Sequence, residues 1–587
     1  MRALVLLGAA LISACAWTPS RTQTNIAALR AALVGADETG RARAAFSLGQ
    51  LGLTEVPEGA LEPPTLISLR EAAAAALIPA ATDPVASVRR AAIEALGKVG
   101  GPETEDALLS AGTDVDAGVR GETALALFRL RFLKRVPEYS TASVNKLIAL
   151  AGDPEAEARW RAVYGFTRFA EPRAKGALVA AQRDGDKYVR LFAARALAKI
   201  AQAPDPVLFT DVDFYVRAEA VAASGAAKTA TDLPPSIFAD PSAHVRAAAA
   251  DAVAATGRAD LAGRLEKMAD TDTSMPRGRA LLALARLRGD AEGARLAVAR
   301  KDPDWWVRSK AYEASAHLTG GAAILRAGIK DPDTRVAAAS LEALAATKAP
   351  FIEEVLSEIL RDPSASLEML GTAADAASAR KSLELVAPLL AAARRSTASV
   401  PMEVREGLRG AISATAKAHP DQKASILQDL KSLPIVRDEP KVFPRLASSP
   451  VLVLDTGKGK IELLLDASAA PNHAAAIAAM ARKGLYDGTI WHRVVTAFVV
   501  QGGDPRGSGW GDAGYRLADE IGRVPFIRGT LGMPKAGKDT GGCQLFVTLV
   551  PTPHLDGRYT AFGSVVSGMD VIDTLEPGDK ILKAHLR

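Results

Sequence analysis

The chain has 587 residues, 48% hydrophobic and 24% charged, which suits globular packing but is too long for one core, so at least two domains are expected. The formal charge of +5, from 72 basic and 67 acidic residues, is small and scattered, and it gives no reason to expect nucleic acid or a purely electrostatic membrane contact. The seven histidines are dispersed and Cys15 and Cys543 are the two cysteines, so neither a metal site, an internal disulfide nor a cofactor is expected.

Met1-Arg2 gives a short positive start, Ala3 to Ile12 a brief apolar run, and Ile12-Ser13-Ala14-Cys15 then precedes Ala16. The run is too short for a permanent span and reads as a cleaved secretory signal. Two cuts fit. Ala14-Cys15-Ala16 suits an ordinary small-x-small site. Ile12-Ser13-Ala14-Cys15 also resembles a bacterial lipobox, which implies a signal at 1–14, lipidation of Cys15 and a tether over 15–25. By resemblance to Gram-negative lipoproteins, Ala16 in place of an aspartate implies a lipid-anchored protein of the bacterial cell envelope, on the periplasmic face of the outer membrane.

Residues 26–433 repeat a pattern. Asp83-Pro84 precedes Val88-Arg89, Asp114 precedes Val119-Arg120, Asp153-Pro154 precedes Ala158-Arg159, Asp184 precedes Val189-Arg190, Asp211 precedes Val216-Arg217 and Asp240-Pro241 precedes Val245-Arg246, and Asp302-Pro303, Asp331-Pro332 and Asp362-Pro363 follow. Successive anchors lie about 27 to 39 residues apart, apart from one double gap, the spacing of a helical solenoid. In each unit Asp is expected to cap a helix and Pro to take its first position. The stripe Val88, Ala91, Ala92, Ala95 and Leu96 has helical spacing, and Gly97 or Gly100 suits the stop. One helical hairpin cannot hide such a stripe, so neighbours must stack. The array resembles the HEAT family in a short, alanine-rich form, which implies a scaffold that binds a protein partner on an extended surface. The repeated arginines are expected to pair with turn carboxylates of the next repeat, with a ligand-binding ladder as the alternative. Trp305-Trp306 is either a binding anchor or core packing. Pro434, Pro440, Pro444 and Pro450 mark 434–450 as a linker.

From 451 to 587 the period changes. Val451 to Leu454 and Ile461 to Leu465, around Thr456-Gly457-Lys458-Gly459, read as a β-hairpin, and Asn472 to Lys483 reads as a helix. Then follow Trp491-His492-Arg493, Phe498, Gln501-Gly502-Gly503-Asp504, Gly541-Gly542-Cys543-Gln544-Leu545-Phe546 and Leu555-Asp556-Gly557-Arg558-Tyr559. In kind and order these blocks resemble the cyclophilin-type peptidyl-prolyl cis-trans isomerases. The fold class expected for the whole chain is therefore multidomain: an all-α HEAT-like solenoid followed by a β-barrel of eight strands capped by two helices.

The resemblance implies an isomerase acting on Pro-containing protein clients and assisting the folding of envelope proteins. Arg493 would be the catalytic donor, with Gln501 holding a substrate carbonyl or the neighbouring backbone. Phe498, Val499, Phe546 and Leu555 would line a proline pocket, and Lys535, Gln544 and Tyr559 would complete the substrate-binding set. Val499 stands where a methionine is usual, Pro534-Lys535-Ala536 replaces Ala-Asn-Ala, and His554 takes the place of a drug-contacting tryptophan. The alternative is a scaffold whose barrel recognises Pro-containing segments with little turnover.

Overall fold

The computed structural model describes residues 19–54, 64–228, 233–397, 400–434 and 439–587. The leader and Cys15 lie outside the described residues. The chain forms two compact units. One comprises the residues up to Leu233 together with Pro553–Arg558, and the other comprises Pro234–Thr552 with Tyr559–Arg587.

In the first unit helices follow one another in pairs: Ala86–Val99 then Glu105–Ala111, Ala117–Phe132 then Thr141–Leu150, Ala156–Tyr164 then Lys175–Ala181. The stripe Val88, Ala91, Ala92, Ala95 and Leu96 is at most 1% exposed. Burying Val88 and Leu96 stabilises by roughly 1.5–3 kcal/mol each. Ala86–Val99 packs on Ala117–Phe132, and Gly97 lets the two approach: a Cβ there would lie 2.5 Å from the Ala126 Cα. The helix stops at Gly100, whose N–H donates to the Leu96 carbonyl at 2.8 Å.

The repeated arginines do pair with the next turn. Arg89 Nε donates to Asp114 at 2.7 Å, Arg120 to Asp153 at 2.6 Å, and Arg159 to Asp184 at 2.7 Å. Each also donates through Nη1 to carbonyls of its own turn, as Arg120 does to Asp114 O at 3.0 Å. One planar fork thus ties two consecutive turns.

The expected cap differs from the observed one. Asp83 accepts the Val85 N–H at 2.9 Å, and the helix begins only at Ala86, so Pro84 precedes it. The anchor aspartate forms an Asx turn while its carboxylate receives the arginine of the preceding repeat. The cap passes to a residue two positions on, as where Asp116 accepts the Val119 N–H.

In the second unit the repeat continues with Arg246 on Asp272 and Arg277 on Asp302, both at 2.6 Å. Trp305 and Trp306 are half-buried in this packing. Trp305 carries the Arg335 guanidinium 4.3 Å from its ring, and Trp306 carries the Lys310 ammonium at 4.7 Å.

The same unit holds an antiparallel barrel: β1 (Val451–Thr456), β2 (Gly459–Leu465), β3 (Ile490–Val495), β4 (Val499–Asp504), β5 (Thr530–Gly532), β6 (Leu545–Thr548), β7 (Ala561–Ser567) and β8 (Ile581–Leu586). Their order is β3-β4-β6-β5-β7-β2-β1-β8, and a bridge between Ile490 and Lys580 nearly closes the ring. The helix Pro471–Arg482 buries Ala474, Ile477, Ala478 and Ala481, while the second helix is the single turn Met569–Ile572. Ahead of β1, the Lys441 N–H donates to Arg516 O at 2.9 Å and the Phe443 N–H to Asn472 Oδ1 at 2.8 Å, so this proline-rich stretch lies against the barrel.

Repeat helices and barrel also touch within this unit. His244 Nδ1 lies 2.8 Å from Thr496 Oγ1, and the Met275 N–H donates to Glu576 at 2.8 Å.

Candidate active site

Antiparallel register brings Arg493, Gln501, Phe546 and Gly532 into one row across β3, β4, β6 and β5. A bulge makes the row. Trp491 pairs with Gly502 and Arg493 with Gln501, so His492 is the extra residue on β3. Trp491 stays buried and Arg493 is turned out to the surface, the re-aiming that bulges produce beside functional sites. Below it, the Thr496-Ala497-Phe498 turn joins β3 to β4 with Ala497 at φ 52°, a strained value for a side chain with a Cβ. That turn sets the Phe498 ring 5.8 Å from the Arg493 guanidinium.

No carboxylate among the described residues pairs with Arg493. Partial loss of water pushes its guanidinium below the ordinary value, while neighbouring Tyr559 opposes the shift. It remains a charged donor with its N–H groups uncommitted. His492 beside it is pushed down to about 4 by burial and is neutral near pH 7.

The apolar floor is aromatic. Phe546 is 4% exposed, stacks on Phe526 at 5.6 Å and meets Tyr559 edge-on at 6.2 Å. Gly532 is required here, because a Cβ would enter the space of the Phe546 and Phe526 rings. Val499 is buried beside them on β4. Lys535 is tied by its ammonium to Asp519 at 2.6 Å and lies 5.6 Å from the Tyr559 ring.

Gln544 links the row to a loop. Its Nε2 donates to Gly509 O at 2.9 Å and Gly511 O at 3.2 Å, and its Oε1 accepts from Gln501 Nε2 at 2.9 Å. The loop turns about Asp504, fully buried, which accepts the N–H groups of Arg506, Ser508 and Gly511 at 2.8, 2.9 and 3.2 Å.

Arg493, Gln501, Phe498, Val499, Gln544, Phe546, Lys535 and Tyr559 all fall within the second unit. Leu555 falls in the first, buried on the 3₁₀ turn Pro553–Leu555. Its neighbour His554 meets the Tyr164 hydroxyl at 2.7 Å through Nδ1, and burial pushes it down to about 3. Sequence reasoning missed the His492 bulge and the Asp504–Gly511 loop. The signal for the loop was Gly507, Gly509 and Gly511 alternating with polar residues and Trp510.

Residues 451–584 match the family described as cyclophilin type peptidyl-prolyl cis-trans isomerase/CLD, and residues 26–127 and 144–225 match HEAT repeats. A peptidyl-prolyl cis-trans isomerase of Synechococcus elongatus is 41% identical over 136 residues, covering 23% of this chain and 94% of that protein. One from Helicobacter pylori is 41% identical over 140 residues, covering 23% and 86%. Peptidyl-prolyl cis-trans isomerase B of Bacillus subtilis is 44% identical over 122 residues, covering 20% and 85%.

Proposed function

Since the chain belongs to the cyclophilin-type peptidyl-prolyl cis-trans isomerases through residues 451–584, we propose that it rotates X-Pro bonds of protein clients at the Arg493 row. The observation that carries this is an arginine with no carboxylate partner among the described residues, held over Phe498 and in register with Gln501. Rotation must break amide resonance against a barrier of about 18–20 kcal/mol. In the twisted state the proline nitrogen becomes basic, and a guanidinium N–H aimed at it favours that state over either planar one. The proline ring rests on Phe498, Val499 and Phe546, and Gln501, whose Nε2 donates to Gln544, accepts a backbone N–H of the client through Oε1. No nucleophile or proton transfer is needed.

The test is cis-trans exchange of an Ala-Pro peptide by the full chain. Arg493→Ala is expected to lower kcat/KM by about 10²-fold or more, the scale for removing a transition-state donor. Equal rates would overturn the arginine mechanism. Peptide binding by the unmodified chain without acceleration would favour the scaffold alternative.

The HEAT repeats suit protein binding, and in this reading they recruit clients or a partner protein. The Met1–Ala16 pattern supports lipidation at Cys15 and a place in the bacterial envelope, with envelope proteins as clients. Mass spectrometry of the native N-terminus tests this: a diacylated or triacylated Cys15 is expected, and an unlipidated chain starting at Trp17 would refute it.

A further inference from the structure

The geometry points to Glu368, a residue of the helical array, as a positioning residue for the isomerase site: it fixes the Asp504–Gly511 loop, whose carbonyls orient Gln544 and through it Gln501. The inference rests on the isomerase reading of the Arg493 row.

Glu368 is the second residue of the helix Leu367–Arg380 and is 1% exposed. Its carboxylate accepts Arg506 Nε at 2.7 Å, Arg506 Nη2 at 3.2 Å and Ser508 Oγ at 2.9 Å. Burial alone would raise its pKa, but the bond from Arg506, the backbone N–H at the helix start, the bond from Ser508 and the Arg506 charge together hold the carboxyl below its usual range. The same helix grips the loop a second time. At Gly371 a Cβ would lie 2.7 Å from the Trp510 ring, and Trp510 packs against the apolar cluster built on Met369, Leu370, Ala373 and Ala374.

Trp510 lies between Gly509 and Gly511, the two residues whose carbonyls receive Gln544 Nε2. A carbonyl can only accept, so Gln544 must turn its Nε2 to the loop and its Oε1 to Gln501. Gln501 must then answer with Nε2, which leaves its Oε1 as the acceptor end of a side chain in register with Arg493. With the loop displaced, nothing forces this order, and either amide can present its opposite end. The array therefore sets the polarity of a side chain that meets substrate.

The experiment uses the full chain. It measures kcat and KM on an Ala-Pro peptide, and melting by circular dichroism, for wild type, Glu368→Ala, Glu368→Gln, Gln544→Ala, the Glu368→Ala/Gln544→Ala double variant and Arg493→Ala. Glu368→Ala is expected to lower kcat about 10-fold with little change in KM. Glu368→Gln keeps the shape and the Ser508 bond and should recover part of the loss. Because the effect passes through Gln544, adding Glu368→Ala to Gln544→Ala should cost less than about 2-fold more. A merely structural carboxylate would cost the same in both backgrounds. The inference is overturned if Glu368→Ala and Glu368→Gln both retain wild-type kcat, if the loss is undiminished on Gln544→Ala, or if it follows the unfolded fraction alone. If Arg493→Ala is also fully active, it is the isomerase reading that fails.

Discussion

The arginines of the repeat array and Arg493 of the barrel are the same side chain put to opposite uses. Arg120 spends its fork on the Asp153 carboxylate and the carbonyls of Asp114 and Val115, leaving little to offer a ligand. Arg493 is displaced by one bulged residue, faces an aromatic ring, and has a neutral glutamine opposite it in register. The difference is a matter of what the fold places across from the guanidinium. A carboxylate turns arginine into a staple, and its absence keeps the donors for a substrate.

The largest effect should come from erasing that difference. Gln501→Glu puts a carboxylate directly across from Arg493, where cross-strand side chains lie about 5 Å apart. It should give Arg493 the partner that the array arginines have, and lower kcat/KM by about 10²-fold, comparable with Arg493→Ala. Folding stability should change by less than about 1 kcal/mol, because Arg493 is exposed. Near-normal turnover in Gln501→Glu would mean that an unpaired guanidinium is not what the site requires.

Much of this contrast was legible in the sequence. The anchor spacing and the Val-Arg pair give the stacked helices, and the arginine pairing follows from having one carboxylate per turn. The hairpin turn at Gly459 and the block from Trp491 to Asp504 give the start of the barrel and its row. Other features depend on what lies far away in the chain. Asp83 reads as a cap because Asp-Pro before a helix usually is one. Its carboxylate is instead claimed by Arg41, a residue of the preceding repeat that local pattern cannot assign. Nothing in the sequence singles out Glu368, and only the fold brings Arg506 and Ser508 to it across more than a hundred residues. The bulge at His492 leaves no mark in a run of strand formers.

The rungs should differ among themselves by burial. Asp153 is 8% exposed, and Asp153→Ala leaves the Arg120 fork without its charged acceptor, so the array should lose about 2 kcal/mol in denaturant unfolding. Arg183 pairs with Asp205 through a side chain that is 74% exposed, and Arg183→Ala should change stability by no more than about 0.5 kcal/mol. Equal losses at the two positions would show that rung strength does not follow burial.

The smallest expected difference is the one that acid leaves behind. The hydrogen bond from Arg120 is the main force holding the Asp153 carboxyl below its usual range; burial works against it, and the Glu155 N–H and the charges of Arg120 and Arg159 assist. In the unfolded chain the same carboxyl titrates at about 3.9. A carboxyl whose folded value is depressed binds its proton more readily when unfolded, so its stabilisation is complete above the unfolded value and is lost as pH falls through the folded one. Asp153→Asn keeps the size of the side chain and removes the charge at every pH. Its gap from the unmodified chain should therefore be constant from about pH 7 to 5, shrink below about pH 4, and approach zero at the lowest pH where both remain folded. Unfolding midpoints of the two proteins across that range measure it. A gap that persists undiminished in acid would show that the rung holds by shape and neutral hydrogen bonding, and the Arg120–Asp153 pair would then differ from Arg493 in packing rather than in charge.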